Sequence, residues 1–145
     1  EKPRYRRFRV KHASGGDDVG SMTEVLLRSL KREQAEKTLP DMVLLDGGKG
    51  QLSAGEEVFR ELGIDSVALV AIAKGRSAGK RFSDYFPVAG RKAPVFIDPL
   101  VPAFKLLTRI RDEAHRFAIT YHRKRRGKEG LASKLTTIPG IGPKR

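Results

Sequence analysis

The chain has no cysteine in its 145 residues. That absence excludes disulfides, cysteine nucleophiles and thiolate zinc sites, so any metal bound here must take carboxylate and imidazole ligands. It agrees with a reducing compartment. No uninterrupted apolar run approaches the roughly 20 residues that span a bilayer, and no secretory signal is present, so no membrane partner is expected. Acidic residues are scarce beside basic ones: 17 Asp and Glu stand against 30 Lys and Arg, a net charge of +13. A field of that sign concentrates and steers polyanions, which makes nucleic acid the favoured partner, ahead of an anionic membrane or an acidic protein.

What is present argues for a folded protein. Hydrophobic residues make up 39% of the chain, with 7 Phe and 3 Tyr among them, while 32% charged residues require a heavily solvated surface. The length suits one ordinary domain with a short appendage.

The opening Arg4-Tyr5-Arg6-Arg7-Phe8-Arg9-Val10 roughly alternates and reads as a strand exposed on one face. Gly15-Gly16-Asp17-Asp18 forms a turn and N-cap, and the recurrence of Met22, Val25, Leu26 and Leu30 predicts a helix from about Asp18 to Gln34. Met42-Val43-Leu44-Leu45-Asp46 is a short apolar run that suits a buried strand, and it ends in a carboxylate and Gly47-Gly48-Lys49-Gly50. A second helix is expected near Gln51 to Leu62, and a second buried strand from Ser66 to Ala73. Helix, strand, helix, strand implies parallel pairing through a right-handed crossover, hence an α/β fold. From Lys74 to Lys92 the chain is basic, with Phe82, Tyr85, Phe86 and Val88 suggesting a short hairpin or an ordered loop. Phe104, Leu107, Ile110, Ala114, Phe117 and Tyr121 mark a long amphipathic helix that ends in His122-Arg123-Lys124-Arg125-Arg126. Gly127 to Ser133 resembles a linker, and residues 134–145 open a further element.

Asp46 is the first candidate for chemistry, because open α/β sheets bind ligands beyond the carboxyl ends of their strands. The plain alternative is that it caps a turn with Gly47, and on the residue alone that alternative is the stronger one. His115 lies mid-helix in Arg111-Asp112-Glu113-Ala114-His115-Arg116. A lone helical His is usually a surface residue, but together with Asp18 and Asp46 it would supply the oxygen and nitrogen donors that Mg²⁺ or Mn²⁺ accepts. Neither glycine-rich segment, Gly47 to Gly50 or Gly75 to Arg81, keeps the spacing of a phosphate-binding P-loop. They would instead let backbone amides approach DNA phosphate. A basic run can merely complement a helix C-terminus. Here Lys74, Arg76, Lys80, Arg81, the first strand's arginines and the run after His122 together suggest a face that binds phosphate without reading sequence.

Two long stretches carry a resemblance: Val43-Leu44-Leu45-Asp46-Gly47-Gly48-Lys49-Gly50-Gln51-Leu52, and Ile110-Arg111-Asp112-Glu113-Ala114-His115-Arg116-Phe117-Ala118-Ile119 with Tyr121-His122-Arg123-Lys124. In these the chain closely resembles the UvrC family, and Tyr5-Arg6-Arg7-Phe8, Gly16-Asp17-Asp18, Met22 and Ala73-Lys74-Gly75 fit the same pattern in order. The resemblance implies an RNase H-like mixed sheet flanked by helices over residues 1–126, a linker at 127–133, and the start of a helix-hairpin-helix DNA-binding domain at 134–145. It also implies that a leading strand with an essential Asp lies upstream of Glu1, that the hairpin region continues past Arg145, and that the stretch need not be active alone or tidy at its sheet edge.

By the same resemblance the activity is metal-dependent hydrolysis of a phosphodiester on the 5′ side of a lesion in nucleotide excision repair. Asp46 and His115 would hold Mg²⁺ or Mn²⁺, with His115 either ligand or base, and Asp18 would be a further acidic residue needed for cleavage. The expected DNA contacts are Lys49, Lys74, Arg76, Arg111, His122, Arg123 and Lys124, with Gly140, Gly142 and Lys144 in the first hairpin. The implied partners are damaged double-stranded DNA and UvrB bound to it, with UvrA upstream, in the bacterial cytoplasm and at the nucleoid during repair. The competing reading is a basic DNA-binding module without catalysis, in which the carboxylates only cap turns. A nucleotide-binding regulator is weaker, since the P-loop spacing fails.

Overall fold

A computed structural model of the chain describes residues 6, 8, 10, 17–77, 80–81 and 84–118. The chain divides into two compact units, Glu1–Pro99 and Leu100–Arg145. The expected strand at residues 4–10, the linker and the hairpin motif therefore lie mostly or wholly outside the described residues.

Helix α1 spans Asp18–Ala35. It begins where the Asp17 carboxylate accepts the Gly20 N–H at 2.8 Å, and Asp18 adds negative charge to the first turn, where the helix dipole favours it. It closes through Lys37, whose φ of 54° is left-handed, with the Thr38 N–H donating to the Glu33 carbonyl at 2.8 Å. The inward face carries Leu26 and Leu30.

Strand β1 (Met42–Asp46) pairs in parallel with β2 (Ala68–Ile72), from Met42 opposite Ala68 to Asp46 opposite Ile72. Helix α2 (Lys49–Leu62) makes the crossover. The apolar runs and their order thus produce the parallel pair expected of them, with three corrections. The first strand is not buried along its length: Leu45 alone is buried, while Met42 and Asp46 are exposed. The second strand is shorter than Ser66–Ala73, because Ser66 and Val67 form a bend in which Val67 plugs the core, and Ala73 makes only an isolated bridge to Tyr85. The second helix starts at Lys49 rather than Gln51, because the Gln51 side chain reaches back to the Gly48 N–H and lets Lys49 and Gly50 join the first turn.

The basic stretch after β2 contains more order than a loop. Strands β3 (Arg76–Ser77) and β4 (Lys80–Arg81) form a small antiparallel hairpin. Strand β5 (Tyr85–Phe86) pairs with β6 (Val95–Phe96), a partner that no periodicity in the sequence announced. Residues 85–89 also line the free side of β2: Ala71 N–H donates to the Pro87 carbonyl at 2.8 Å, Ala89 N–H to Leu69 at 3.0 Å, and Ala73 and Tyr85 exchange both bonds. The result is a mixed sheet ordered β1, β2, 85–89, β6, with its parallel pair on one side and its antiparallel neighbours on the other.

The core lies between this sheet and the two helices. Leu30 and Val58 meet Leu45, Leu69 and Ala71 in one buried cluster. Gly55 of α2 sits against the sheet so closely that a Cβ there would stand 2.9 Å from Leu45 Cδ1.

In the second unit, residues 102–118 are helical and form α3. Pro102 occupies the first turn, where its missing N–H costs nothing. The half-buried side is Phe104, Leu107, Thr108, Arg111 and Phe117, whereas Ile110 is 46% exposed and Ala114 is exposed too, so the apolar face is turned from the one that the spacing suggested. Among the described residues, no helix is long and apolar enough to cross a membrane.

Candidate active site

Asp46 is the last residue of β1, and its side chain is exposed beyond the carboxyl end of the parallel pair. The turn that follows is two glycines long. Gly47 N–H donates to the Ile72 carbonyl at 3.1 Å, which ties the turn to β2. Gly47 has φ 150°, a backbone setting that an L side chain rarely adopts. Gly48 N–H donates to Gln51 Oε1 at 3.0 Å, which ties the other end of the turn to α2. The start of α2 therefore lies at the same carboxyl end of the parallel pair as Asp46. Lys49 is exposed in its first turn, and that turn holds no acidic residue. Its N–H groups and the helix dipole make this a place that suits negative charge.

Asp18, the first residue of α1, is exposed. Lys74 is exposed just after β2, and Arg76 lies in β3. In the second unit His115 is exposed on α3. Arg111 on the same helix is only 15% exposed in its side chain, and its guanidinium holds Asp112 Oδ1 at 2.8 and 2.9 Å. Arg116 pairs with Glu113 at 2.6 Å. His122, Arg123, Lys124, Gly140, Gly142 and Lys144 fall outside the described residues.

Among the described residues no polar or charged side chain is buried, and Asp18, Asp46, Lys49, Lys74 and His115 are exposed. Carboxylate oxygen and imidazole nitrogen suit Mg²⁺ or Mn²⁺ by chemistry. Among the described residues no three His, Asp or Glu side chains gather closely enough to hold a metal ion.

The decisive observation comes from comparison with known proteins. The family model described as the UvrC RNAse H endonuclease domain matches residues 1–119. The chain belongs to this family. Curated relatives named UvrABC system protein C agree: the chain is 45% identical to that of Protochlamydia amoebophila over 99% of its own length and 24% of the relative's. It is 44% identical to that of Geobacter metallireducens, with 100% and 25% covered, and 47% identical to that of Paramagnetospirillum magneticum, with 99% and 24% covered. The chain spans about a quarter of the length of the curated relatives it matches. As a member of the UvrC RNase H endonuclease family it has the mixed α/β fold that its own residues build, and Asp18, Asp46 and His115 lie within the span of the match.

Gln51 stands beside the site in a way the sequence did not announce, where it was the expected first residue of a helix and one position of the stretch that resembles the family. The available signal was a Gln three positions after a glycine that can serve as an N-cap, the downstream half of a capping box.

Proposed function

We propose that this chain is the catalytic part of a nucleotide-excision-repair endonuclease that hydrolyses a DNA phosphodiester on the 5′ side of a lesion with the help of Mg²⁺ or Mn²⁺. The observation that carries the reading is Asp46, an exposed carboxylate at the end of a parallel strand in a chain of this family, three residues before the acid-free first turn of α2 with its exposed Lys49. Asp46 and His115 would hold the cation, which when bound polarises the scissile phosphate and acidifies an attacking water. Lys49, Lys74 and Arg76 bind the strand through its phosphates and hold it in line, and Arg111, His122, Arg123 and Lys124 add further contacts to DNA. His115, if it is not a ligand, accepts the proton of the attacking water. Asp18 is a further acid needed for cutting. Residues 134–145 open a hairpin motif in which Gly140, Gly142 and Lys144 grip the DNA backbone. The partners are damaged double-stranded DNA and UvrB loaded on it, with UvrA acting earlier, and the setting is the bacterial cytoplasm and nucleoid.

The test is Mn²⁺-dependent nicking of a lesion-bearing duplex by the full-length protein, with UvrA and UvrB supplied. Asp46→Asn should slow nicking by about 10²- to 10³-fold while DNA affinity stays unchanged. Equal nicking by both proteins would leave a basic DNA-binding module in which Asp46 only ends a strand.

A further inference from the structure

Two glycines in succession make the most permissive dipeptide a chain can contain, yet Asp46 is followed by such a pair. A carboxylate that must stay in one place cannot sit at the root of a loose turn. The turn is restrained at three points. Its first N–H is bonded to Ile72 in β2, at 3.1 Å. Its second N–H is bonded to Gln51 Oε1, at 3.0 Å. Between these, the Gln51 stem lies over Gly47: a Cβ at Gly47 would stand 2.6 Å from Gln51 Cγ and 2.5 Å from its Cδ. Gln51 thus occupies the space that a side chain on Gly47 would have filled, and its amide oxygen fixes Gly48.

The chemistry of the residue is informative as well. Glutamate would make the same bond and would complement the helix dipole better than a neutral amide does. The first turn of α2 nevertheless contains no acid, whereas α1 has Asp18 there. A neutral acceptor holds the turn without adding negative charge beside Asp46 and the phosphate path.

We propose that Gln51 is a positioning residue for Asp46, an inference that rests on the reading of Asp46 as a catalytic carboxylate. Its amide oxygen and stem lock Gly47-Gly48 and so fix where the strand-end carboxylate stands. Its neutrality keeps the DNA-facing end of α2 attractive to phosphate.

The experiment compares nicking kinetics of the full-length protein carrying Gln51→Met, Gln51→Glu or Asp46→Asn. Gln51→Met keeps the stem and loses the acceptor, so kcat should fall about 10- to 100-fold, as small displacements of a reacting group do, with KM for DNA unchanged. Gln51→Glu restores the acceptor and should recover most of kcat while raising KM, because it adds charge and not disorder. Should Gln51→Met fail to fold, Gln51→Asn, an amide too short to reach Gly48, takes its place. A wild-type kcat in Gln51→Met, or an equal loss of kcat in Gln51→Met and Gln51→Glu, overturns the proposal while an inactive Asp46→Asn leaves the catalytic reading standing. Full nicking by Asp46→Asn would remove both.

Discussion

The two helices of the first unit begin in opposite ways. Helix α1 is capped from upstream by a charged side chain, Asp17, and carries Asp18 in its first turn. Helix α2 starts on a glycine and is capped from downstream by the neutral Gln51. They also reach the core differently: α1 inserts Leu26 and Leu30, whereas α2 adds to Leu52, Val58 and Phe59 the bare backbone of Gly55, within a methyl's breadth of Leu45 and Leu69. One helix is arranged for hold and the other for approach, to the sheet on its flank and to negative charge at its tip. An acid at the start of α1 stabilises. The same acid at the start of α2 would oppose the phosphate proposed to bind there.

The contrast can be broken at several places. Leu30 is 1% exposed, the deepest leucine of α1. Leu30→Ala should cost about 2–5 kcal/mol through lost contact and a residual cavity. Urea unfolding would register it as a lower midpoint at unchanged slope, and a loss under about 1 kcal/mol would mean that α1 does not anchor by its leucines. Gly55→Val overpacks the opposite helix, since its Cβ would meet Leu45 Cδ1 at 2.9 Å and Leu69 Cδ2 at 3.1 Å. A cost of about 1–3 kcal/mol in the same assay is expected, and a neutral result would show that α2 can stand off from the sheet. Removing the upstream cap by Asp17→Ala should cost about 0.5–2 kcal/mol, visible as a lower thermal midpoint.

The smallest effect sharpens the comparison at the other end of α1. The Arg32 guanidinium bonds Glu36 at 2.7 Å and, against the opposing effect of desolvation and with further attraction from Arg32 and Arg6, holds its carboxyl below its ordinary value. A carboxyl whose folded pKa lies below its unfolded value contributes stability that is complete above the ordinary carboxylate range and is lost as pH falls through the folded value. Arg32→Gln should therefore raise the Glu36 titration midpoint measured by NMR and leave stability at neutral pH almost unchanged. An unmoved midpoint would show that the pair does not persist in solution.

Much of this architecture is legible in the residues. Met42 to Asp46 and the run ending at Ile72 declare strands by being short, apolar and bounded, and the helix between them makes their pairing parallel, although of the first strand Leu45 alone is buried. The position of Asp46 at a strand end follows from the same run. What escaped has a common cause, because it depends on partners distant in sequence or on side-chain hydrogen bonds that leave no period. Gly48-Lys49-Gly50 has the composition of a loop, yet Lys49 and Gly50 are helical because Gln51 reaches back. Val95 and Phe96 are too short a run to signal a strand and become one only by meeting Tyr85 and Phe86. Ile110 fits the apolar spacing of α3 and yet is 46% exposed, since spacing gives a stripe and packing decides its direction. The roles proposed for Asp18, Asp46 and His115 rest on the likeness of whole motifs to a family more than on the single residues, which offered only a strand end and suitable donor atoms.

The mixed sheet implies an order of events in time. Ala73 meets Tyr85, and Phe86 meets Val95, across short separations along the chain, whereas Asp46 meets Ile72 only after the whole of α2 has been traversed. Closing a longer loop costs more entropy before any contact compensates for it. The antiparallel side of β2 is thus the cheaper half to assemble during folding and the parallel side the slower one. The strand that bears the candidate carboxylate lies on the slower side, so the chemistry at its end becomes available only when the sheet is complete.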